Sequence, residues 1–281
     1  MAETTAFASV AHEPGAAKPD AILVADGVVR RFGGLTAVNV NHFEVQRNSI
    51  TALIGPNGAG KSTFFNLLTG FDMAQEGEGV FNGKPLKGMP SAKVARAGMV
   101  RTFQLTKALS RMTVIENMRL GAQEQPGENI LTAFVPPLWS ARERQITEQA
   151  HELLHRFKLY EKKDDYAGSL SGGQRKLLEM ARALMSKPTM VMLDEPMAGV
   201  NPALTESLLD HIVELKEEGM TVLFVEHDMH MVRRISDWVV VMAEGQIIAE
   251  GPAGTVMSNQ AVQDAYLGAH HDTDLSEERD A

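Results

Sequence analysis

The sequence predicts an α/β fold built on a largely parallel sheet, and three features support this prediction. Short apolar runs of strand length alternate with helical segments, as they do in sheets whose parallel strands are joined by crossover helices. A glycine-rich loop follows the apolar run at residues 50–54 and leads into a helical segment that begins at Ser62. Polar residues directly follow three of the apolar runs, at the carboxyl ends where parallel sheets bind their ligands.

The glycine-rich loop fits the pattern of a phosphate-binding loop. Its residues are Gly55, Pro56, Asn57, Gly58, Ala59, Gly60, Lys61, Ser62 and Thr63. Glycines let a phosphate approach the backbone N–H groups, and the helix N-terminus adds partial positive charge. Lys61 is expected to reach the β- and γ-phosphates of a nucleotide, and Ser62 to offer its hydroxyl to Mg²⁺. A glycine-rich turn with a chance Lys-Ser pair is the simpler alternative, and the flanking strand and helix argue against it.

The composition is that of an ordinary globular protein with enough apolar residues for a sizeable core. The chain has 281 residues, of which 44% are hydrophobic and 22% are charged, so one or two domains are expected. The net charge of -9 argues against a nucleic-acid partner, because proteins that bind nucleic acid are more often basic. The chain has no cysteine, which excludes a disulfide framework, thiol chemistry and a thiolate zinc site.

No segment is expected to cross a membrane or to direct secretion. No apolar run approaches the roughly 18–20 residues of a membrane span, and residues 1–20 lack a basic n-region and an apolar h-region. This stretch is rich in Ala, Pro, Thr and Glu, so we expect it to be a disordered N-terminal tail. The polar, mostly acidic residues 269–281 are expected to form a disordered C-terminal tail, which leaves one folded domain over residues 21–268.

The hydrophobic pattern changes to a helical period between about residues 105 and 186. Helices are predicted at residues 113–121 and 141–157, so this block is expected to form an inserted helical subdomain. The intervening residues 123–140 contain Pro, Phe and Trp and are expected to be a surface excursion. Their aromatic side chains either cover the helices beneath them, which we favour, or contact a membrane or a partner.

Phe32 directly precedes a Gly33-Gly34 turn between the apolar runs at residues 22–29 and 38–45. From the pattern alone, a buried core aromatic is the favoured interpretation. Because a phosphate-binding loop follows, Phe32 is also a candidate ring for stacking on the adenine of a nucleotide.

A strong helix is predicted to begin at Ser171. Ser171 and Gln174 form an S-x-x-Q capping box, which by itself indicates a well-made helix start. Capping does not explain the paired Gly172 and Gly173, which cost helix propensity. An anion that presses against the bare helix end would explain them.

Two carboxylates, Asp194 and Glu195, follow the apolar run at residues 189–193. Asp194 is placed to hold Mg²⁺ through water, because this cation prefers oxygen ligands and keeps several waters. Glu195 is placed to polarise an attacking water. The pair could instead cap the next helix, but a phosphate-binding loop in the same chain favours the catalytic interpretation.

Two further polar residues follow apolar runs. His227 comes shortly after residues 221–225 and is expected to contact the γ-phosphate, although most histidines are structural or exposed. Gln104 follows residues 99–103 and could bond the attacking water or the metal, although its signal is weak by itself.

The order of these motifs resembles that of the nucleotide-binding subunits of ATP-binding cassette (ABC) transporters. The matching motifs are Phe32 as the adenine-stacking residue, residues 55–63 as Walker A, Gln104 as the Q-loop, residues 170–174 as the LSGGQ signature, residues 191–195 as Walker B with the catalytic glutamate, residues 198–202 as the D-loop and His227 as the switch histidine. The resemblance spans about residues 22–268. It implies a P-loop NTPase with an ABC-type nucleotide-binding domain: a parallel core sheet, an antiparallel β-subdomain and an inserted helical subdomain.

The resemblance further implies a head-to-tail dimer that buries two ATP molecules, each with Mg²⁺. Walker A of one subunit and Ser171, Gly172, Gly173 and Gln174 of the other would hold each ATP. ATP would close the dimer and hydrolysis through Glu195 would reopen it. The Q-loop and the helical subdomain would pass this motion to membrane subunits. Closure of the dimer by ATP at the interface would be a shift in population.

Finer motifs resemble the ATPases of branched-chain (hydrophobic) amino acid importers, and in particular the longer of that system's two ATPases. These motifs lie at residues 31–35, 100–104, 112–117, 198–202 and 265–268. The implied partners are two transmembrane permease subunits, a second ABC ATPase in a homo- or heterodimer and, indirectly, a substrate-binding protein, with no nucleic acid. The implied location is peripheral, on the cytoplasmic face of a bacterial inner membrane. Urea or amide importers, the lipopolysaccharide exporter and soluble ABC proteins acting on ribosomes or DNA are the alternatives.

Overall fold

The computed structural model describes residues 5–102, 109–123 and 136–266. The strands are β1 (Ala21–Phe32), β2 (Leu35–Gln46), β3 (Ile50–Ile54), β4 (Glu76–Phe81), β5 (Lys84–Pro85), β6 (Met99–Arg101), β7 (Met190–Asp194), β8 (Thr221–Val225), β9 (Trp238–Ala243) and β10 (Gln246–Gly251). The helices are α1 (Lys61–Leu68), α2 (Ser91–Arg96), α3 (Val114–Arg119), α4 (Pro136–Arg156), α5 (Gly172–Leu184), α6 (Pro202–Glu217), α7 (Met229–Ile235) and α8 (Ala253–Met257).

The larger sheet has the order β10-β9-β3-β8-β7-β6. All of its neighbouring strands are parallel except β10, which pairs with β9 in the antiparallel direction. Strands β3, β7 and β8 are buried along their whole length, which is why they appear in the sequence as short continuous apolar runs. The predicted α/β fold with a parallel core sheet is confirmed.

A second sheet, with the order β2-β1-β4-β5, is entirely antiparallel. It packs on the face of the core sheet that also carries α1, where the rings of Phe43 and Phe64 meet edge to face with their centroids 5.1 Å apart. This sheet is the antiparallel β-subdomain that the family resemblance implies. It places the hairpin of β1 and β2 beside the glycine-rich loop.

The helices predicted at residues 113–121 and 141–157 are present as α3 and α4. They pack with α5 into the core on the other face of the parallel sheet through Met118, Leu154 and Leu177. Most of the predicted surface excursion, residues 124–135, and Gln104 lie outside the described residues. Within the described ranges, no helix combines the length and apolar character needed to cross a membrane.

The prediction of a disordered tail over residues 1–20 is wrong for residues 5–20. The ring of Phe7 stacks on that of Trp238 with centroids 4.8 Å apart, and Val10 is buried. The Lys18 ammonium lies 2.8 Å from Glu250 Oε2, and both side chains are almost fully buried. Composition failed here because a few side chains find partners at the distant start of β9 and end of β10. The predicted C-terminal tail, residues 269–281, lies outside the described residues.

Candidate nucleotide site

The carboxyl ends of three neighbouring strands bring the predicted site residues to one edge of the core sheet. Val225 at the end of β8 is in register with Leu53 of β3 on one side and with Asp194 of β7 on the other. The glycine-rich loop follows β3, Glu195 follows β7, and His227 follows β8. The sequence-based expectation that these three motifs share an edge therefore agrees with the strand order.

Two glycines of the loop are required by its close packing. A Cβ atom at Gly55 would overlap the carbonyl oxygen of Met242, and one at Gly60 would overlap the carbonyl oxygen of Ala37. Gly60 also has a left-handed backbone, with φ of 97°, where it caps α1. The loop is thus held between β2 and β9. Its tip remains accessible, because Asn57, Gly58 and Ser62 are exposed.

Lys61 points back into its own loop. Its Nζ atom donates hydrogen bonds to the carbonyl oxygens of Gly55, at 2.6 Å, and Pro56, at 2.8 Å. Burial lowers the pKa of Lys61, and the nearby carboxylates of Glu195 and Asp194 oppose this shift. The amine therefore lies between the loop and the two carboxylates, where an incoming phosphate can replace its carbonyl partners.

Asp194 ends β7 and is buried, which makes its charge costly without a partner. Its Oδ2 atom accepts a hydrogen bond from Nη2 of Arg101 at 2.6 Å. Sequence analysis did not single out Arg101 as a site residue. The available signal was its position at the end of β6, the strand next to β7.

Glu195 has a left-handed backbone, with φ of 45°, which a residue with a side chain rarely adopts. Its N–H donates to the carbonyl oxygen of Val225 at 3.1 Å. Its carbonyl oxygen accepts a hydrogen bond from Nζ of Lys176 at 3.3 Å. These contacts with β8 and α5 hold the unusual turn, and Lys176 is a second residue that sequence analysis missed.

His227 is largely exposed, with 67% of its side chain accessible, and its Nδ1 atom lies 3.7 Å from Glu226 Oε2. Its backbone N–H donates to Oε2 of the buried Glu226 at 3.3 Å. Oε1 of Glu226 accepts the N–H of Met197 at 3.0 Å, and burial raises the pKa of this carboxyl. Glu226 therefore connects the chain after β8 to the turn after Glu195, a role that its sequence position did not reveal.

Phe32 is not a core residue. It ends β1 opposite Leu35 and is 49% exposed, with the guanidinium carbon of Arg30 at 4.6 Å from the ring centroid. The interpretation as a buried core aromatic, which the pattern favoured, is therefore wrong. Arg30 lies over this exposed ring, and the opposite face is available for stacking.

The start of α5 is capped as predicted. Ser171 Oγ accepts the N–H of Gln174 at 3.3 Å, and Gln174 Oε1 accepts the N–H of Ser171 at 3.0 Å. Gly173 has a packing reason within the chain, because a Cβ atom there would overlap the side chain of Leu204. Gly173 thus has a packing reason as well, and the anion that would explain both glycines stays a prediction. A Cβ atom at Gly172 would meet no closer neighbour than the Gly199 oxygen, at 3.7 Å.

Comparison with known proteins identifies the family. The model of the ABC transporter family matches residues 38–198, and a model described as branched-chain amino acid ATP-binding cassette transporter matches residues 246–272.

Individual relatives support the same family assignment. One relative is the probable branched-chain amino acid transport ATP-binding protein LivG of Archaeoglobus fulgidus, which is 44% identical to this chain over 248 residues. The aligned residues cover 88% of this chain and 96% of the relative. The chain is also 41% identical, over 88% of this chain and 98% of the relative, to the high-affinity branched-chain amino acid transport ATP-binding protein BraF of Pseudomonas aeruginosa.

A crystal structure of an ATP-binding cassette of an ABC transporter in its ADP conformation matches the fold. The TM-score is 0.76 at 38% identity, over 88% of this chain and 99% of that one. A nucleotide-free cassette also matches with a TM-score of 0.76 at 39% identity, over 87% and 98% of the two chains. The chain therefore belongs to the ABC transporter family, as one of its ATP-hydrolysing cassettes.

Proposed function

We propose that this chain is the energy-coupling subunit of an importer for branched-chain amino acids. The observation that carries the proposal is the meeting of Lys61, Asp194 and Glu195 at one edge of the core sheet. A cation beside a phosphate-binding loop and two carboxylates after the neighbouring strand are the groups that ATP hydrolysis needs. The names of the relatives and the match at residues 246–272 support the cargo class.

The oxygen groups at this edge suit Mg²⁺. The exposed Ser62 hydroxyl in the first turn of α1 and the Asp194 carboxylate would hold the ion, together with Gln104 by family resemblance. In the described ranges, no three His, Cys, Asp or Glu side chains cluster as a metal site. Mg²⁺ is usually bound through one or two carboxylates and completes its shell with phosphate oxygens and water, so Asp194 would be its carboxylate here. When bound, Mg²⁺ would neutralise phosphate charge.

The protein groups divide the remaining work of hydrolysis. The N–H groups of residues 55–63 and the Lys61 amine would bind the β- and γ-phosphates, and Phe32 would stack on the adenine. Glu195 would accept a proton from the attacking water, and its fixed backbone would hold the carboxylate in place. His227 would contact the γ-phosphate from the next strand.

A second cassette would complete each site. Ser171, Gly172, Gly173 and Gln174 would meet the nucleotide of the opposite subunit in a head-to-tail dimer. In support, Ser171 and Gly172 are exposed at the start of α5, and Gly172 has space for a close approach. The dimer would bind two transmembrane permeases from the cytoplasmic face of a bacterial inner membrane, and a substrate-binding protein would deliver the cargo.

Co-purification tests this proposal directly. The tagged chain is extracted from native membranes in mild detergent, and the proteins that accompany it are identified. We expect two hydrophobic permeases and a second, shorter ATPase. Ribosomal proteins, or no membrane partner at all, would contradict a role in transport.

The cargo is tested with the purified complex in proteoliposomes. Leucine, presented with its binding protein, is expected to stimulate ATP hydrolysis. The complex carrying Glu195→Gln serves as the inactive control. Stimulation by urea and not by leucine would replace the amino acid with an amide as the cargo.

A further inference from the structure

The guanidinium of Arg101 joins three elements around the proposed metal site. Nη2 donates to Asp194 Oδ2 at 2.6 Å, and Nη1 donates to Asn66 Oδ1 at 2.6 Å and to Thr69 Oγ1 at 3.4 Å. Asn66 lies in the last turn of α1, the helix that begins in the phosphate-binding loop, and Thr69 directly follows this helix. One side chain thus connects the Walker B strand to the Walker A helix.

The strand register explains how Arg101 reaches the carboxylate. Arg101 lies opposite Met192 in the parallel pair of β6 and β7, two residues before Asp194. The N–H of the next residue, Thr102, donates to the carbonyl oxygen of Met192 at 2.9 Å and fixes this register. The long side chain therefore runs along the strand toward its carboxyl end and meets Asp194 there.

The ion pair is buried and closely packed. Only 6% of the Arg101 side chain and 7% of the Asp194 side chain are accessible. The guanidinium carbon also lies 5.4 Å from the centroid of the Phe65 ring and 6.0 Å from that of Phe71. Planar stacking and two separate donor nitrogens are properties of arginine that lysine cannot supply together.

We propose that Arg101 is a positioning residue that orients the Asp194 carboxylate for Mg²⁺. By holding Oδ2, it directs the other oxygen, Oδ1, toward the cation or its bound water. It also keeps this carboxylate at a fixed distance from the helix that carries Ser62. The inference rests on the proposed role of Asp194 at the metal.

The test measures Mg²⁺ dependence without hydrolysis. A fluorescent ATP analogue is titrated into the purified full chain, first in EDTA and then at rising Mg²⁺ concentrations. Loss of a residue that orients a metal ligand typically weakens metal affinity by about 10–100-fold. We expect Arg101→Gln to raise the Mg²⁺ concentration needed for tight binding at least tenfold, with affinity in EDTA unchanged. Arg101→Lys is expected to restore only part of this loss.

Three further variants make the result specific. Arg156→Gln removes a surface arginine that pairs with Glu214 and Glu218, and it should behave as the wild type. Asn66→Ala keeps the ion pair but removes the hydrogen bond that holds the other side of the guanidinium. We therefore expect a smaller rise, of about threefold, in the Mg²⁺ concentration needed for tight binding. Asp194→Asn should abolish the Mg²⁺ effect, and if it does not, the proposed metal role of Asp194 itself is wrong.

Two outcomes would overturn the inference about Arg101. In the first, nucleotide binding by Arg101→Gln depends on Mg²⁺ as in the wild type, although Asp194→Asn has lost this dependence. The other is tighter Mg²⁺ binding in Arg101→Gln, which would make Arg101 a competitor of the metal. Thermal unfolding shows whether each variant is folded. If Arg101→Gln does not fold, Asn66→Ala takes its place in the test. An unchanged Mg²⁺ dependence in Asn66→Ala would then refute the proposal.

Discussion

Trp238 Nε1 donates a hydrogen bond to Glu250 Oε2 at 3.0 Å, at the place where the N-terminal segment packs on the core sheet. The same carboxylate accepts the N–H of Ala16 at 2.5 Å and pairs with the buried Lys18. Glu250 thus collects three donors, two of them from residues 5–20. This buried carboxylate therefore helps to hold residues 5–20 on the fold, together with the stacking of Phe7 on Trp238.

Removal of Lys18 should therefore destabilise the whole domain. Lys18→Met leaves Glu250 buried with two neutral donors, and breaking a buried ion pair in this way costs about 3–5 kcal/mol. We expect the lower end of this range, measured as a lower urea midpoint. The double variant Lys18→Met, Glu250→Gln should recover most of the loss, since it leaves no charge unpaired. Equal midpoints for Lys18→Met and the wild type would contradict the account.

Substitution of Glu195 should separate ATP binding from hydrolysis. Glu195→Gln keeps the shape of the side chain but cannot accept a proton, so turnover should fall by about 10²–10⁴-fold. Nucleotide affinity and nucleotide-dependent dimerisation, followed by fluorescence and gel filtration, should persist. Glu217→Gln, at the exposed end of α6, is the matched control. Normal steady-state turnover in Glu195→Gln would refute the catalytic assignment.

Lys61→Ala should lose nucleotide affinity. The amine that now binds the Gly55 and Pro56 carbonyls would no longer meet the phosphates. A hydrogen bond to a charged group contributes about 1.5–3 kcal/mol, which corresponds to roughly 10–150-fold in affinity. Isothermal titration with ATP checks this result against Lys84→Ala, a change at an exposed lysine of β5. An unchanged isotherm would count against the phosphate-loop assignment.

His42 should make stability depend on pH. Burial lowers the pKa of His42, but hydrogen bonds and charge from Asp26 and Glu44 outweigh this effect and raise it above 6.5. A raised folded pKa adds stability that is fully present below pH 6.5 and disappears as the pH rises through the folded value. The urea midpoint should thus fall from pH 6 to pH 8. This fall should shrink in His42→Gln and persist in His230→Gln, whose side chain is exposed.

The parts of the fold that follow from local pattern were predictable. Strands β3, β7 and β8 are continuous apolar runs because both faces of each strand are covered. Their polar ends meet because parallel neighbours share a carboxyl edge. The capping box of Ser171 and Gln174 was visible because its two residues are three positions apart.

The parts that depend on distant partners were not predictable. The ion pair of Arg101 and Asp194 depends on the register of two strands that are far apart in sequence. The burial of Phe7 depends on Trp238, and composition alone marked that segment as a tail. The exposure of Phe32 depends on its place at the end of a hairpin, where an apolar residue in a strand need not face the core.

The left-handed backbone of Glu195 carries a cost that shapes how this chain tolerates change. A residue with a side chain gives up roughly 1–2 kcal/mol in that conformation, and glycine would regain most of this energy. On the proposed role of Glu195, the substitution that relieves this backbone strain would also remove the catalytic carboxylate. Selection for thermal resistance alone, with no demand for ATP turnover, is expected to replace Glu195 early with glycine or asparagine.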